Sequence, residues 1–429
     1  MGIGPIQLIQ QATPAQRRTL LAAALGWALD AFDAMLYALV LAFLMRDLGM
    51  SKTAAGLLGT LTLLASGLGG VLFGFFADRM GRKRALMASI LTYSICSFAS
   101  GLATSIAMLA AARFVLGLGM GGEWNTGAAL VAESWPMELR AKAIAIVQSS
   151  WAFGFAAAAL VAGPVSRYFG WRAVFFVGIL PALLTLWIQR DVPESKMWEQ
   201  ALKKRKTASI AGSGARRIPE NLPGESERFS AIFNRTYRRH TIALLLFNFF
   251  SLFAWWGLFT WMPPYLSLSV SQGGRGFGVV GTTTLLVILN LVGMFPGYAT
   301  FGWVAERLGR RKAFLLYSLM AALLIPLYAA ARGTASLMAM GTLVAFFATG
   351  LFSGSGIMGS EIYPTSLRAR GLGFTYNGAR AMSSVAPLVI GRVGQTRGLG
   401  AAFYLCAAGY LLATLVATQL PETRGKALE

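Results

Sequence analysis

The sequence predicts an all-α integral membrane protein with twelve transmembrane helices. Of its 429 residues, 56% are hydrophobic and only 13% are charged, and the mean hydropathy is +0.59. Ordinary soluble domains are less apolar and more highly charged. Apolar stretches of about 20 residues, the length that a helix needs to cross a bilayer, recur along almost the whole chain. Backbone groups in lipid must bond within their own segment, so we predict helices for these stretches.

The predicted spans form two sets of six. The first set covers residues 19–45, 54–77, 85–103, 106–132, 142–166 and 171–190. The second set covers residues 240–268, 280–304, 312–331, 335–360, 369–392 and 399–420. The stretch between the sets is rich in Lys, Arg, Ser and Gly and has no membrane-length apolar run, which predicts a linker. The expected domains are an N-terminal bundle (1–190), a cytoplasmic linker (191–239) and a C-terminal bundle (240–429).

An internal repeat relates the two sets of helices. Three segments of the first half recur with similar residues 228 positions later: Gly74–Lys83 as Gly302–Arg311, Glu133–Arg140 as Glu361–Arg368, and Pro193–Ser195 as Pro421–Thr423. Self-similarity at one fixed spacing indicates a tandem duplication. The twelve helices are therefore predicted to form two six-helix bundles.

The basic residues predict the orientation in the membrane. Most of the 38 Lys and Arg residues lie at the termini and in the loops on the same side as the termini. By the positive-inside rule, that side is the cytoplasm. The net charge of +21 thus reflects membrane topology and contact with anionic lipid, and we expect no nucleic-acid partner.

Catalytic and metal-binding motifs are not found in the sequence. The chain has one histidine, His240, at a predicted helix boundary, and its two cysteines, Cys96 and Cys406, fall inside predicted helices. It contains no metal-ligand spacing, no Ser/His/Asp set and no phosphate-binding loop of an ATP-driven pump. We therefore predict no cofactor, no metal site and no enzymatic activity.

Several motifs resemble those of a known family. The loop Gly74-x-x-x-Asp78-Arg79-x-Gly81-Arg82-Lys83, its repeat, and Pro421-Glu-Thr-Arg-Gly425 resemble the major facilitator superfamily over essentially the whole chain. This resemblance implies two bundles that rock around a central cavity, in a monomer that works by alternating access.

A narrower resemblance concerns the substrate. Leu29–Asp33, Gly117–Trp124 and Tyr376–Arg380 are similar to motifs of the sialic acid/proton and lactate-type carboxylate symporters. They imply proton-coupled transport of a small organic anion, such as sialic acid, lactate or an aromatic acid, across the cell inner membrane. Aromatic-acid and sugar transporters share part of the pattern, so a sugar or drug facilitator or exporter remains an alternative, and a nontransporting receptor is another.

Acidic residues inside predicted helices are candidates for proton coupling, because an ionised group costs several kcal/mol at membrane depth unless it is paired or hydrated. Asp30 and Asp33 are three residues apart on one helical face, where two anions repel each other, and one of them is expected to carry a proton. Glu123 is a third candidate. Arg113 resembles the proton-relay arginine of the family, although a static ion pair with an aspartate is the alternative.

Arg380 is the predicted binding group for the substrate carboxylate, because a planar guanidinium matches a carboxylate in bidentate geometry. Pairing with an aspartate of the first helix is the alternative. Polar or aromatic residues nearby are further substrate-binding candidates, namely Tyr376, Asn377, Asn125, Asn248 and Trp256. Trp261 and Tyr265, near a predicted helix end, are expected to be anchors at the membrane interface.

A charge network is predicted on the cytoplasmic side. It comprises Asp78, Arg79, Arg82 and Arg140. The family resemblance implies that such a network latches the two halves together when the cavity faces outward. The alternative is that these charges only set the topology.

Overall fold

The computed structural model describes residues 11–200, 202–203 and 229–424. These residues form helices, turns and short irregular segments, and none of them forms a β-strand. The central part of the predicted linker, including position 201 and residues 204–228, lies outside the described residues.

Six helices build the first half. They are α1 (Pro14–Asp47), α2 (Lys52–Met80), α3 (Arg82–Gly101), α4 (Ile106–Ser134), α5 and α6. The last two come from the helical stretch Met137–Val177, which is interrupted at Gly170 (φ 79°, ψ 171°). Thus α5 comprises residues 137–169, and α6 comprises residues 171–177 and, after one turn, Pro181–Asp191.

The second half repeats this arrangement. Its helices are α7 (Arg238–Ser267), α8 (Val279–Leu308), α9 (Arg310–Ala330), α10 (Thr334–Ile362), α11 (residues 365–397) and α12 (Leu399–Ala417). Two of them contain a π-helical segment, which is Leu289–Met294 in α8 and Phe374–Gly378 in α11. Short 3₁₀ helices, Phe229–Phe233 and Val270–Gln272, precede and follow α7.

Nine helical stretches in the described part are long and apolar enough to cross a membrane. One of them, Lys142–Asp191, has 50 residues and contains both α5 and α6. The two remaining helices are α3, which begins with Arg-Lys-Arg and is rich in Ser, and α11, which carries Arg380 and is divided into shorter segments. The prediction of an all-α, twelve-span membrane protein is confirmed.

Close helix packing preserves the repeat. Gly69 of α2 lies against the backbone of Leu118 in α4, and Gly297 of α8 lies in the same way against Phe346 in α10. A Cβ atom at either glycine would collide with the facing backbone. Glycine allows two helices in lipid to approach to backbone contact, where dispersion forces hold them together. The repeat therefore relates packing contacts as well as sequence motifs.

Polar contacts between the bundles are found on the side of the molecule away from the termini. Lys52, at the start of α2, donates from Nζ to the carbonyl oxygens of Gln272 (2.7 Å) and Gly394 (3.2 Å). Its backbone N–H donates to the Gln395 side chain at 2.7 Å. One turn deeper, Gly56 lies against the backbone of Pro387 in α11. The bundles are thus closed against each other on this side.

Trp261 and Tyr265 are not interface anchors, so that expectation was wrong. Both side chains are buried, with exposed fractions of 0% and 1%. The indole N–H of Trp261 donates to the Pro387 carbonyl oxygen at 2.9 Å, and the Tyr265 hydroxyl donates to the Ala329 carbonyl oxygen at 2.9 Å. Each polar group has a backbone partner inside the protein, which removes the need for water at the membrane surface.

Candidate functional site

A cavity lies between the two bundles near the middle of the helices. The space between its lining atoms, together with the open solvent at its mouth, has a volume of about 350 Å³. Its walls come from both halves, through α1 and α5 on one side and α7, α8, α10 and α11 on the other. The lining residues are Trp27, Gln148, Trp151, Leu252, Trp255, Trp256, Tyr298, Phe352, Tyr376 and Arg380.

Tryptophans form a continuous aromatic wall across this cavity. The ring centroids of Trp27 and Trp151 are 4.8 Å apart, and Trp151 reaches Trp255 and Trp256 of the other bundle at 5.7 and 6.0 Å. The Trp255 N–H contacts the Thr349 hydroxyl at 3.3 Å. The buried indole N–H groups of Trp27 and Trp151 have no hydrogen-bond partner among the described residues.

Arg380 brings a positive charge into the cavity. Its side chain is 6% exposed, and in the described structure its Nε and Nη2 atoms have no hydrogen-bond partner. It lies two residues after the π-helical segment of α11, and Tyr376, four residues before it, belongs to that segment. A π-helical turn takes more residues than an α-helical turn, which changes the faces on which the flanking residues lie. Tyr376 and Arg380 both line the cavity, and Tyr376 is hydrogen-bonded to Gln148 of α5.

Two buried carboxylates of the N-terminal bundle face this arginine. Asp30 in α1 and Glu123 in α4 are 0% and 1% exposed, and both interact electrostatically with Arg380 and with each other. None of their four carboxylate oxygens has a hydrogen-bond partner within the described residues. Gly26 makes room for the Glu123 carboxylate, because a Cβ at this position would collide with it.

Asp33 and Arg113 form a second buried group. The Ser97 hydroxyl of α3 donates to the Asp33 carboxylate, and Asp33 interacts electrostatically with Arg113. The guanidinium carbon of Arg113 lies 5.0 Å from the centre of the Tyr37 ring, in cation–π geometry. Asp33 is thus held by neighbours in its own bundle, whereas Asp30 shares Arg380 of the other bundle with Glu123.

The direct ion pairs of the described residues lie elsewhere, at helix ends. Among the five buried charged residues, no basic nitrogen therefore lies within 4.0 Å of a carboxylate oxygen. In a medium of low dielectric constant such unpaired charges are costly, and they persist where function requires them.

The amide candidates lie off the cavity. Asn125 donates to the Gly70 carbonyl oxygen at 3.1 Å, which joins α4 to α2. Asn248 donates to the Thr375 carbonyl oxygen at 3.2 Å and accepts from Ser355 at 2.9 Å. Asn377 is half-buried and does not belong to the lining residues, whereas Trp256 and Tyr376 do.

Several lining residues were not singled out from the sequence, including Trp27, Gln148 and Trp151. The repeat contains a signal for one of them. Gln148 occupies the position equivalent to Tyr376, so a search for repeat partners of the predicted site residues would have found it. Trp27 is equivalent to Trp255, which was not among the predicted site residues.

The residues of the predicted charge network lie at the end of the bundles that carries the termini. Arg82 pairs with Asp78 at 3.0 Å and with Glu133 at 3.0 Å, all within the N-terminal bundle. Arg79 is exposed, and the Nε of Arg140 is buried with no hydrogen-bond partner in the described part of the chain. The structure thus joins Asp78 and Arg82 within one bundle.

The C-terminal bundle repeats this cluster. Arg310 pairs with Glu361 at 3.0 Å, at positions equivalent to Arg82 and Glu133. Glu422 accepts hydrogen bonds from the backbone N–H groups of Arg310 (2.9 Å) and Arg311 (3.2 Å), where α9 begins. Glu194 binds the start of α3 in the same way, through the N–H groups at positions 82 and 83. In both bundles, a carboxylate satisfies backbone donors that helix geometry leaves free.

Fold and site together define a helical membrane transporter with a central cavity between two related bundles. The profile of the Major Facilitator Superfamily matches residues 23–298 and 275–428, which together cover most of the sequence. The chain belongs to the Major Facilitator Superfamily, and the prediction of a transporter rather than an enzyme is confirmed.

Two relatives match over nearly their full length. The probable 4-methylmuconolactone transporter of Cupriavidus pinatubonensis is 34% identical, over 97% of this chain and 93% of its own length. The sialic acid transporter NanX of Escherichia coli is 31% identical, over 96% of both chains. Among solved structures, a D-xylose-proton symporter has the same fold, with a TM-score of 0.75 and 19% identity over 96% of this chain and 99% of that chain.

Proposed function

We propose that this transporter carries a small organic anion together with protons by alternating access. The observation that carries the proposal is Arg380, a buried guanidinium in the wall of the cavity whose Nε and Nη2 have no hydrogen-bond partner in the described structure. A guanidinium with free donors in a water-poor site binds a carboxylate strongly and in a defined orientation. The substrate acid is therefore bound by the C-terminal bundle.

The relatives support an organic acid or a related compound as the substrate. They are named for transport of 4-methylmuconolactone and of sialic acid. Tyr376 and Trp256 line the cavity together with Arg380, so both are proposed to contact the substrate. Asn125, Asn248 and Asn377 are proposed to act indirectly, by keeping α2, α7, α10 and α11 in position around the cavity.

Proton coupling is proposed to depend on competition for Arg380. In the empty transporter, the charges of Asp30 and Glu123 are balanced in part by this arginine. A substrate carboxylate bound to Arg380 removes that balance and adds a further negative charge. A proton on Asp30 or Glu123 then restores the charge of the site, so that substrate and proton bind together.

Asp33 and Arg113 are proposed to relay the proton between this site and one side of the membrane. The Ser97 hydroxyl and the Tyr37 ring hold them in place. Because Arg113 stays charged, its distance from Asp33 controls how readily the carboxylate binds a proton. A movement of α1 relative to α4 thereby changes proton affinity.

The protein is proposed to be a monomer in the cell inner membrane with both termini in the cytoplasm. The concentration of Lys and Arg on the side of the termini supports this orientation. Asp78, Arg79, Arg82 and Arg140 are proposed to stabilise the closed state on that side. Asp78→Asn should then increase the labelling of cytoplasmic-side cysteines, and unchanged labelling would contradict this role.

The test is uptake of labelled compounds into proteoliposomes, with and without an inward proton gradient. The panel contains sialic acid, lactate, benzoate and a neutral sugar, and protein-free vesicles give the rate of passive entry of each acid. We expect gradient-stimulated uptake of at least one acid, lost in Arg380→Ala. Uptake of the sugar alone, independent of pH, would contradict both anion binding and proton coupling.

A further inference from the structure

We propose that the cavity selects flat, conjugated monocarboxylates over polyhydroxylated and small hydroxy acids, and that Trp151 and Trp27 determine this selectivity. The inference rests on the proposed function, because it concerns the acid that Arg380 would bind. It narrows the substrate to a chemical class that neither the sequence motifs nor the fold specifies.

The shape of the lining is the first observation. Seven of its ten residues are aromatic, and four of these seven are tryptophans. Trp151 stands between Trp27 of its own bundle and Trp255 and Trp256 of the other, with ring centroids 4.8 to 6.0 Å away. At these distances the tryptophans contact one another and form a continuous aromatic surface, on which a flat π system can stack or make edge contacts.

The free hydrogen-bonding groups are the second observation. The buried N–H groups of Trp27 and Trp151 and the Oε1 atom of Gln148 have no partner among the residues described. A buried donor without a partner costs free energy, which a ligand acceptor can recover. Arg380 binds the carboxylate, so these indole groups suit a second acceptor on the same ligand, such as a ring nitrogen, hydroxyl or carbonyl oxygen.

The same lining disfavours the other two acids. A polyhydroxylated acid such as sialic acid brings many hydroxyl groups, and each hydroxyl buried without a partner is costly. Apart from Gln148, Arg380 and the polar tips of the aromatic residues, the lining is apolar. Lactate is too small to contact the aromatic wall while its carboxylate is bound to Arg380. Only a flat acid of ring size uses both features of the site.

The experiment measures binding of acids to the purified full chain by isothermal titration calorimetry. Benzoate is the flat probe, and cyclohexanecarboxylate is its matched control, with the same carboxylate and ring size but a puckered, saturated ring. Sialic acid and lactate complete the set. We expect benzoate to bind about fivefold or more tightly than cyclohexanecarboxylate, in keeping with the usual strength of aromatic contacts. Sialic acid and lactate should bind more weakly still.

Two substitutions separate the contributions of Trp151. Trp151→Phe keeps an aromatic face and removes the N–H donor, so the preference for benzoate over cyclohexanecarboxylate should persist. Trp151→Leu removes the face as well, and the preference should fall to about twofold or less. Trp303→Leu is the control, because Trp303 is exposed on α8 and does not line the cavity. If Trp151→Leu does not fold, Trp27→Leu takes its place, because it removes the adjacent aromatic face and should also lower the preference to about twofold or less.

The outcomes distinguish this inference from the proposed function. If carboxylates bind and Arg380→Ala abolishes binding, but cyclohexanecarboxylate or sialic acid binds at least as tightly as benzoate, the selectivity is wrong and the anion transporter stands. A preference for benzoate that survives in Trp151→Leu would show that the tryptophan does not determine it. If no acid binds in a manner that depends on Arg380, both proposals are overturned.

Discussion

The two bundles are alike in their helix packing and at the end that carries the termini, and they differ in their buried charges. At that end, Arg82 and Glu133 of one bundle correspond to Arg310 and Glu361 of the other, with ion pairs of 3.0 Å in both. The close contacts of Gly69 and Gly297 are also equivalent. The repeated features bind helices together and cap their ends, and are therefore features of stability.

The buried charges do not follow the repeat. In the second half, the positions equivalent to Asp30, Asp33, Arg113 and Glu123 are occupied by Leu258, Trp261, Gly341 and Leu351. In the first half, the position equivalent to Arg380 is occupied by Ala152. One bundle thus holds the carboxylates and the other holds the cation that faces them. This difference separates the buried charges, which we propose to act in transport, from the repeated contacts that hold the helices together.

The substitution with the largest expected effect is Arg380→Ala. Loss of two charge-assisted hydrogen bonds should weaken substrate binding by about 100-fold or more. Arg380→Lys keeps the charge but not the planar fork, so its defect should be smaller. Arg392→Ala is the matched control, because Arg392 is an exposed arginine on the same helix. If Arg380→Ala bound substrate nearly as tightly as the wild type, Arg380 would not be the substrate-binding group, and the proposed difference in role between the two bundles would be wrong.

The next effect concerns the carboxylates. Asp30→Asn should abolish gradient-driven accumulation while exchange of labelled for unlabelled substrate continues, because the site loses its proton acceptor and keeps Arg380. Asp33→Asn should impair accumulation less, since the Ser97 hydroxyl and the neighbouring helices still hold its side chain in place. Both rates are measured in the same proteoliposomes. Full accumulation in Asp30→Asn would assign proton coupling to another residue, with Glu123→Gln as the next variant.

A smaller effect, on the opening of the side away from the termini, is expected for substitution of Lys52. This residue also departs from the repeat, because Val280 occupies the equivalent position. Lys52→Met removes the two hydrogen bonds from Nζ to Gln272 and Gly394, so the side away from the termini should open more often. Alkylation of a cysteine at position 60, beside Leu388 of the other bundle, should speed up about tenfold. Lys52→Arg keeps the charge and the donors and is the control. Equal alkylation rates with Lys52, Lys52→Met and Lys52→Arg would show that Lys52 does not hold this side closed.

The smallest effect tests the part of the molecule that obeys the repeat. Glu194→Gln and Glu422→Gln each weaken hydrogen bonds to the start of a helix, and each should lower the free energy of unfolding by about 0.5–1 kcal/mol. Neither should change proton coupling. The measurement is thermal unfolding in detergent, together with uptake. A large difference in stability between the two variants would mean that the two clusters contribute unequally to stability although their geometry is similar.

Acidic pH should lower the free energy of unfolding slightly, because Glu422 becomes protonated. Burial would raise the pKa of this carboxyl, but backbone N–H groups, including those of Arg424, Arg310 and Arg311, hydrogen-bond to it and lower the pKa below its usual value. Its contribution to stability is therefore complete above the ordinary glutamate pKa of about 4.3 and lost as the pH falls through the lower folded-state value. Between pH 5 and about 3, the wild type should lose slightly more stability than Glu422→Gln. Equal losses in both would contradict this contribution.

Hydropathy and the repeat allowed the fold to be predicted from the sequence, because lipid imposes the same length and the same helical geometry on every span. The buried charges were also predictable, since Asp30, Glu123 and Arg380 stand out in apolar stretches. By contrast, Trp27 and Trp151 carry no such signal, because a tryptophan in an apolar helix can face lipid, protein or a cavity. Which of these a tryptophan side chain faces depends on how the other helices pack around its own helix.

The amides show a second limit. Asn125 and Asn248 were predicted as substrate-binding candidates, and in the structure each side chain donates to a backbone carbonyl oxygen of a neighbouring helix. The need for a partner can be inferred from one position, whereas the identity of the partner depends on the tertiary structure. The π-helical segment before Arg380, which affects the faces on which Tyr376 and Arg380 lie, was not predicted for the same reason.

The most direct test of the account measures acid and proton uptake in the same proteoliposomes, with a labelled acid outside, a pH-sensitive dye inside and protein-free vesicles as the baseline. We predict that the transported acid brings protons with it in a constant ratio, and that Arg380→Ala abolishes both fluxes. Acid uptake through the protein without protons, or unchanged fluxes in Arg380→Ala, would contradict proton-coupled anion transport through this cavity.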